Sequence, residues 1–238
     1  MVQNQYPCAD IVPIENEPCH RRGMANEFVR VFLVEIAPRE RTLCHSHARD
    51  YLMYVMGEAG IVSAPRDGDP KTLTYQDGDC ELSSAGLIHV VENVRETKFR
   101  TLLVELLPRL DELHRGSDPR ITAGNGTVQA IFEEERISVW SVEMNSNTRV
   151  EAHGPAIVAR LFETELLPKH PGNLMAKINQ VSDITWIESG RSVLGSDLGR
   201  TMRTVVFQLG RGEEHLAAVR KRTGETIKSL PTHADKPE

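Results

Sequence analysis

CHSHARDYLMYVMGEAG, residues 44–60, and QDGDCELSSAGLIHVVEN, residues 76–93, hold the chemistry of this chain. In the first stretch His45 and His47 stand two apart and lead into the strand-like run YLMYVM. Along a strand, residues i and i+2 point to one face, so both imidazoles can converge on one ion. Asp50 follows three residues after His47, near enough to bring a carboxylate to the same point across a bend. The second stretch adds His89, after the turn Ser84-Ala85-Gly86 and at the head of the short strand HVVEN. Three imidazoles and one carboxylate suit a borderline divalent metal such as Fe, Mn, Ni or Zn.

These residues resemble the two motifs of the cupin superfamily. The first motif reads His-x-His, a short spacer, an acid, then six residues to a Gly; here it is His45, His47, Asp50 and Gly57. The second reads Gly-Asp, four residues, Pro-x-Gly, two residues, His, three residues, Asn; here it is Gly78-Asp79, Ser84-Ala85-Gly86, His89 and Asn93. The spacer before Asp50 is short and the acid is Asp rather than Glu, so Asp50 is either a ligand bent in from the strand end or a group that supports one. Ser84 in place of the Pro should alter only the turn. The resemblance implies an all-β chain of double-stranded β-helix (jelly-roll) barrels, with one divalent metal in a barrel mouth held by His45, His47, Asp50 and His89.

Composition bounds the alternatives. A chain of 238 residues can form one large domain or two ordinary ones, each able to bury a core. With 39% hydrophobic and 26% charged residues, the balance is that of a soluble globular protein. A net charge of -6 leaves no basic footprint for nucleic acid. The N-terminus lacks a basic start leading into an apolar core, and no apolar run approaches a membrane span, so the expectation is a cytoplasmic protein with neither nucleic-acid nor membrane partners. Four cysteines in a chain of this length do not make a disulfide framework, and all four are expected to be reduced.

Taken in order, residues 1–25 read as irregular, with Pro7, Pro13 and Pro18 breaking any period. FVRVFLVEIA (28–37) reads as a strand ending at Pro38, YLMYVM and GIVSA as a hairpin, and KTLTY (71–75) as a half-buried strand. KFRTLLVELL (98–107) closes the set, RLDELHRG has the pattern of a short helix, and residues 117–126 have the composition of a linker. After Gly210, GEEHLAAVRKRTGE reads as a helix, with acids near its start and bases near its end, followed by a loose polar tail.

Beyond the linker the first half recurs in fainter form. Val34-Glu35-Ile36 returns as Val142-Glu143-Met144, and TLLVELL is echoed by RTVVFQLG. A repeat of this kind implies two similar units. The chain therefore resembles a bicupin: residues 1–116 an N-terminal barrel with the metal site, 117–126 a linker, and 127–238 a C-terminal barrel and tail. In that second copy the sequence offsets place His153 on His45, but Pro155 on His47, Val158 on Asp50 and Val193 on His89. None of the three replacements carries a ligating side-chain atom, so the second barrel reads as degenerate.

An ion held by four protein groups keeps about two octahedral positions for water, substrate or dioxygen. Such a site can act as a Lewis acid on a carbonyl or enol, or hold a substrate beside oxygen. Metal-binding cupins include dioxygenases, isomerases, decarboxylases and lyases of small molecules. The resemblance thus implies a metalloenzyme of oxygenase type acting on a small-molecule substrate, or else a non-catalytic cupin with a storage, sensing or regulatory role. It also implies a possible homodimer. Tyr54 shares the parity of Asp50 and Leu52, and is either a proton donor facing the pocket or a packed core residue. Arg30 and Arg100 are candidates for an anionic substrate if they face inward.

Overall fold

Strand Phe99–Leu106 is buried almost throughout, with the unbroken apolar run Leu102-Leu103-Val104 at its centre, because both of its faces are covered. Leu102, Val104 and Leu106 join one core with Val29, Val31, Leu52 and Tyr54, while Phe99 and Leu103 join another with Phe32, Val34 and Ile36. A strand buried on both sides loses the alternation of a half-exposed one and reads as a continuous apolar run.

The computed structural model describes residues 6–113, 121–123, 128–144, 148–151, 154–166, 176–188, 192–194 and 202–210. Strands in the first half are β1 (Val12–Pro13), β2 (His20–Ala25), β3 (Val29–Ile36), β4 (His45–Ser46), β5 (Tyr51–Val55), β6 (Ala59–Pro65), β7 (Lys71–Tyr75), β8 (Cys80–Ser83), β9 (Ile88–Asn93) and β10 (Phe99–Leu106). The second half has β11 (Ile121–Ala123), β12 (Val128–Glu133), β13 (Ile137–Met144), β14 (Thr148–Glu151), β15 (Ala156–Leu166), β16 (Ala176–Ile187), β17 (Ser192–Leu194) and β18 (Met202–Leu209). The first barrel is two sheets, ordered β1-β4-β9-β6-β7 and β2-β3-β10-β5-β8. The second repeats the plan as β11-β14-β17 and β12-β13-β18-β15-β16. The repeat holds in register: Glu35 lies opposite Arg100 as Glu143 lies opposite Arg203.

Each barrel has an interior, and a third core joins the barrels. The first interior holds Phe32, Val34, Ile36, Ile61, Val91, Phe99 and Leu103. The second holds Val142, Ala156, Val158, Ile187 and Val206. Between them, the outer face of the β2-β3-β10-β5-β8 sheet meets Ile137, Val139, Ile157, Ala159, Val205 and Phe207. Asn93, fully buried, fastens the turn region of the first barrel, its Nδ2 donating to the carbonyls of Ile36, Ala37 and Thr97 at 2.7–3.2 Å. Gly57, the motif glycine, sits at φ 99°, a left-handed backbone that side chains strain to adopt.

Several expectations are corrected. YLMYVM and GIVSA are both strands but not a hairpin: β5 pairs β10 and β8, whereas β6 pairs β7 and β9, because the chain changes sheets at Gly57. The stretch read as irregular contains two strands, since β1 runs parallel to β4 and β2 pairs β3. Of RLDELHRG, residues 109–112 lie in a short 3-10 helix, Pro108–Glu112, and residues 114–116 lie outside the described residues. Within the stretch read as a linker, Ile121–Ala123 pairs with β14. Cys8 and Cys44 are joined in a disulfide, Cα atoms 5.1 Å apart, because the β1–β4 pairing carries the N-terminal segment alongside Cys44; Cys19 and Cys80 are free. The helix read after Gly210 lies outside the described residues. No helix among the described residues is long and apolar enough to cross a membrane.

Candidate metal centre

Four histidines converge inside the first barrel. His45 and His89 stand directly opposite each other across β4 and β9, with ring centroids 4.7 Å apart. His47, just past β4, is held by its backbone: its N–H donates to the Leu87 carbonyl at 2.9 Å and its carbonyl accepts from Gly86 N–H at 2.8 Å. The fourth is His20, which the register places opposite Val34 and so on the interior face, its ring centroid 4.7 Å from that of His45. All four are buried, at 7%, 0%, 2% and 6% exposure for His20, His45, His47 and His89. Candidate ligand nitrogens of His20, His45 and His47 all lie within 4.8 Å of one another, and Nε2 of His89 is 3.2 Å from Nε2 of His47.

A hydrogen bond behind its ring settles which nitrogen of His45 faces the centre. His45 Nδ1 lies 3.0 Å from the Leu43 carbonyl, which can only accept, so Nδ1 carries the proton and Nε2 keeps its lone pair. That Nε2 is buried and has no hydrogen-bond partner among the described residues. His20 Nδ1 lies 2.6 Å from Glu17 Oε2, a buried carboxylate that also accepts from the N–H groups of Cys19 and Leu43. His89 Nδ1 is 3.0 Å from Ser63 Oγ. A carboxylate or carbonyl behind an imidazole is the usual arrangement for orienting a metal-ligating histidine.

Electrostatics keep the rings of His45, His47 and His89 neutral, the form a metal needs. Burial, with the charge of His20 added, pushes His45 down to about 4. Burial, then neighbouring His89 and His45, pushes His47 down to about 2, and burial followed by His45 holds His89 well below its ordinary value. For Glu17 burial acts upward, but the hydrogen bond and charge of His20 outweigh it and hold the carboxyl below the usual range. Tyr51 stacks on His47, ring centroids 4.1 Å apart, and burial pushes its phenol up to about 12.

No family model matches the chain, and no curated protein does. Among solved structures, a vicilin from Solanum melongena is 12% identical, covering 84% of this chain and 86% of its own, with a TM-score of 0.53. A vicilin from Solanum lycopersicum (tomato) is 12% identical, covering 84% of each chain, at 0.51. A cupin domain from Bordetella pertussis Tohama I is 24% identical, covering 37% of this chain and 90% of its own, at 0.35. The chain has the bicupin fold.

Within the N-terminal cupin barrel the sequence-predicted residues part company. His45, His47 and His89 come together; Asp50 does not join them. Its Oδ1 accepts from Ala85 N–H at 2.8 Å, and its Oδ2 pairs with Arg136 of the second barrel. The short spacer leaves Asp50 on the even parity of β5, and even residues of that strand face the second barrel. Tyr54 shares that fate. It is fully buried in the inter-barrel core, with Arg203 Nη2 donating to its hydroxyl at 2.6 Å and the same guanidinium bridging to Asp77. The odd residues Tyr51 and Met53 line the cavity instead. Arg30 is tied to Glu15 and Glu105, Arg100 to Glu35, and neither lines the cavity. In the second cupin barrel, the register opposite β17 sets Val150 against Val193 where the first sets His45 against His89. Val158 is buried in the second interior, and His153 lies outside the described residues.

Sequence reasoning missed His20 and Glu17. Their one local signal is the Glu-x-x-His spacing, set among prolines in a segment with no strand period.

Proposed function

We propose that the N-terminal barrel binds one divalent metal ion through His20, His45, His47 and His89 and works on a small-molecule substrate as a metalloenzyme of oxygenase type. The observation that carries this reading is the buried Nε2 of His45, a lone pair with no partner, aimed among three further imidazoles. A buried acceptor left unpaired costs about 1–3 kcal/mol, and an ion among the rings removes that penalty. Glu17, Leu43 and Ser63 hold His20, His45 and His89 in orientation. When bound, the ion supplies Lewis acidity toward a carbonyl or enol, or redox chemistry with dioxygen. Tyr51 walls the cavity beside His47 and keeps its proton at neutral pH.

A non-catalytic role in ligand binding is the second reading, and one observation favours it. The shifted groups around the centre lie far from neutrality, His45 and His47 below and Tyr51 above. A general acid or base works best with a pKa near the working pH, so any catalysis would rest on the ion. Elemental analysis of protein purified without an affinity metal is expected to give one metal per chain. Oxygen-uptake screening with small diketones, enols and hydroxy acids then separates the two readings. Protein that takes up no Fe, Mn, Ni or Zn would remove both forms of the metal reading.

A further inference from the structure

The four histidines form one wall of a cavity inside the first barrel. The rest of that cavity mixes hydrocarbon, as from Val34, Ile36, Phe99 and Leu103, with neutral hydroxyls such as those of Ser83 and Thr101. Among the described residues, none that lines it is a lysine or an arginine. One carboxylate reaches it, Glu81 on the exposed side, where Tyr75 Oη donates to Glu81 Oε2 at 2.7 Å.

Asp50 has left the site, so every ligand in the set is a neutral imidazole. Imidazoles add no charge of their own, Glu17 behind His20 offsets at most one of a divalent ion's two positive charges, and a buried charge is tolerated only when something of opposite sign pairs with it. A ligand of this cavity has to bring that negative charge to the ion. It can bring no second one. A second anionic group would meet hydrocarbon and neutral hydroxyls but no cation, or approach Glu81.

Resting on the metal reading above, we infer that this site takes small monoanions: one oxyanion head, carboxylate or enolate, on a compact apolar body. Dianions of the same length are rejected.

The test uses the full chain loaded with Co²⁺, whose visible absorption reports its ligands, titrated with hexanoate, adipate and hexanol. Hexanoate is expected to change the cobalt spectrum and to bind at least tenfold tighter than adipate, since 1.4 kcal/mol is tenfold and leaving a second charge unpaired costs more than that. Hexanol should leave the spectrum unchanged, and hexanoate should bind the metal-free chain at least tenfold more weakly than the loaded one. Glu81→Gln should improve adipate binding by roughly threefold with hexanoate unmoved, the scale of one screened like-charge contact. Cobalt uptake followed by equal binding of hexanoate and adipate, or equal binding of hexanoate with and without cobalt, overturns the monoanion assignment alone. Failure to take up cobalt overturns the metal reading and this assignment with it.

Discussion

The two barrels share one strand order and differ in what that order encloses. In the first, the β4–β9 register sets His45 against His89; in the second, the equivalent register sets Val150 against Val193. The interior core of the second is Val142, Ala156, Val158, Ile187 and Val206, with Trp140 against it. The fold therefore does not require the histidines, which is consistent with their serving a site rather than the barrel. What the second barrel contributes to the first is cover: it buries a whole sheet face, and it draws Asp50 and Tyr54 onto Arg136 and Arg203.

That division can be broken first at the shared core. Phe207 is fully buried and packs edge-on to Tyr54, ring centroids 6.1 Å apart. Phe207→Ala should destabilise by about 3–5 kcal/mol, the range for truncating a buried Phe. If the barrels depend on each other, calorimetry will show a single transition moved down. A variant in which only a second-barrel transition moves would show that the first barrel stands alone. Residues 1–116 in isolation should aggregate, because Val29, Val31, Leu52, Leu102 and Val104 would lose their cover.

Acidity probes the site without mutation. In the metal-free protein, His45 titrates near 4 when folded, against an ordinary value of 6.5 that the unfolded chain approaches. Below 6.5 the unfolded state binds a proton that the folded state refuses, so stability falls as pH drops, until the folded value near 4 is passed. The slope is about 1.4 kcal/mol per pH unit for each such histidine. His47 and His89 are displaced in the same direction and steepen it. Bound metal should flatten the upper part of this window, since an ion competes with protons for the same nitrogens. Denaturant midpoints unchanged between pH 7 and pH 5 in metal-free protein would contradict the buried, neutral cluster.

A smaller effect is expected behind His20. Glu17→Gln keeps the shape but weakens the hold on Nδ1, and metal affinity should fall about ten- to a hundredfold. Competition with a chromophoric chelator measures it. No change would reduce Glu17 to a scaffold for the Cys19 and Leu43 N–H groups.

Much of this architecture was legible in the sequence, and what was not has two physical causes. The spacing His45-x-His47, the glycine turns and His89 are local signals, and β4 and β9 bring them together as those signals imply. The repeat was visible because apolar strands recur in order. Facing on β5 stayed open because both faces of YLMYV are buried: apolar parity shows no difference between a cavity and a neighbouring barrel. Asp50 was placed by its motif spacing, as a ligand or a supporting group, and Tyr54 by shared parity, as a pocket-facing donor or a packed core residue. His20 was out of reach for another reason. Its place depends on the β2–β3 register, a tertiary choice made by a strand, HRRGMA, with few strand-forming residues and a register shift between Arg22 and Met24.

The central claim is that His20, not Asp50, completes the histidine set. Metal retention by His20→Ala and Asp50→Asn, measured side by side on full-length protein after equal dialysis, tests it most directly. The account predicts that His20→Ala loses metal by a hundredfold or more in affinity, beyond the range of a supporting group. Asp50→Asn should retain one metal per chain and lose only about 1 kcal/mol or less of stability from its half-exposed pair with Arg136. Loss of metal in Asp50→Asn with full retention in His20→Ala would contradict it.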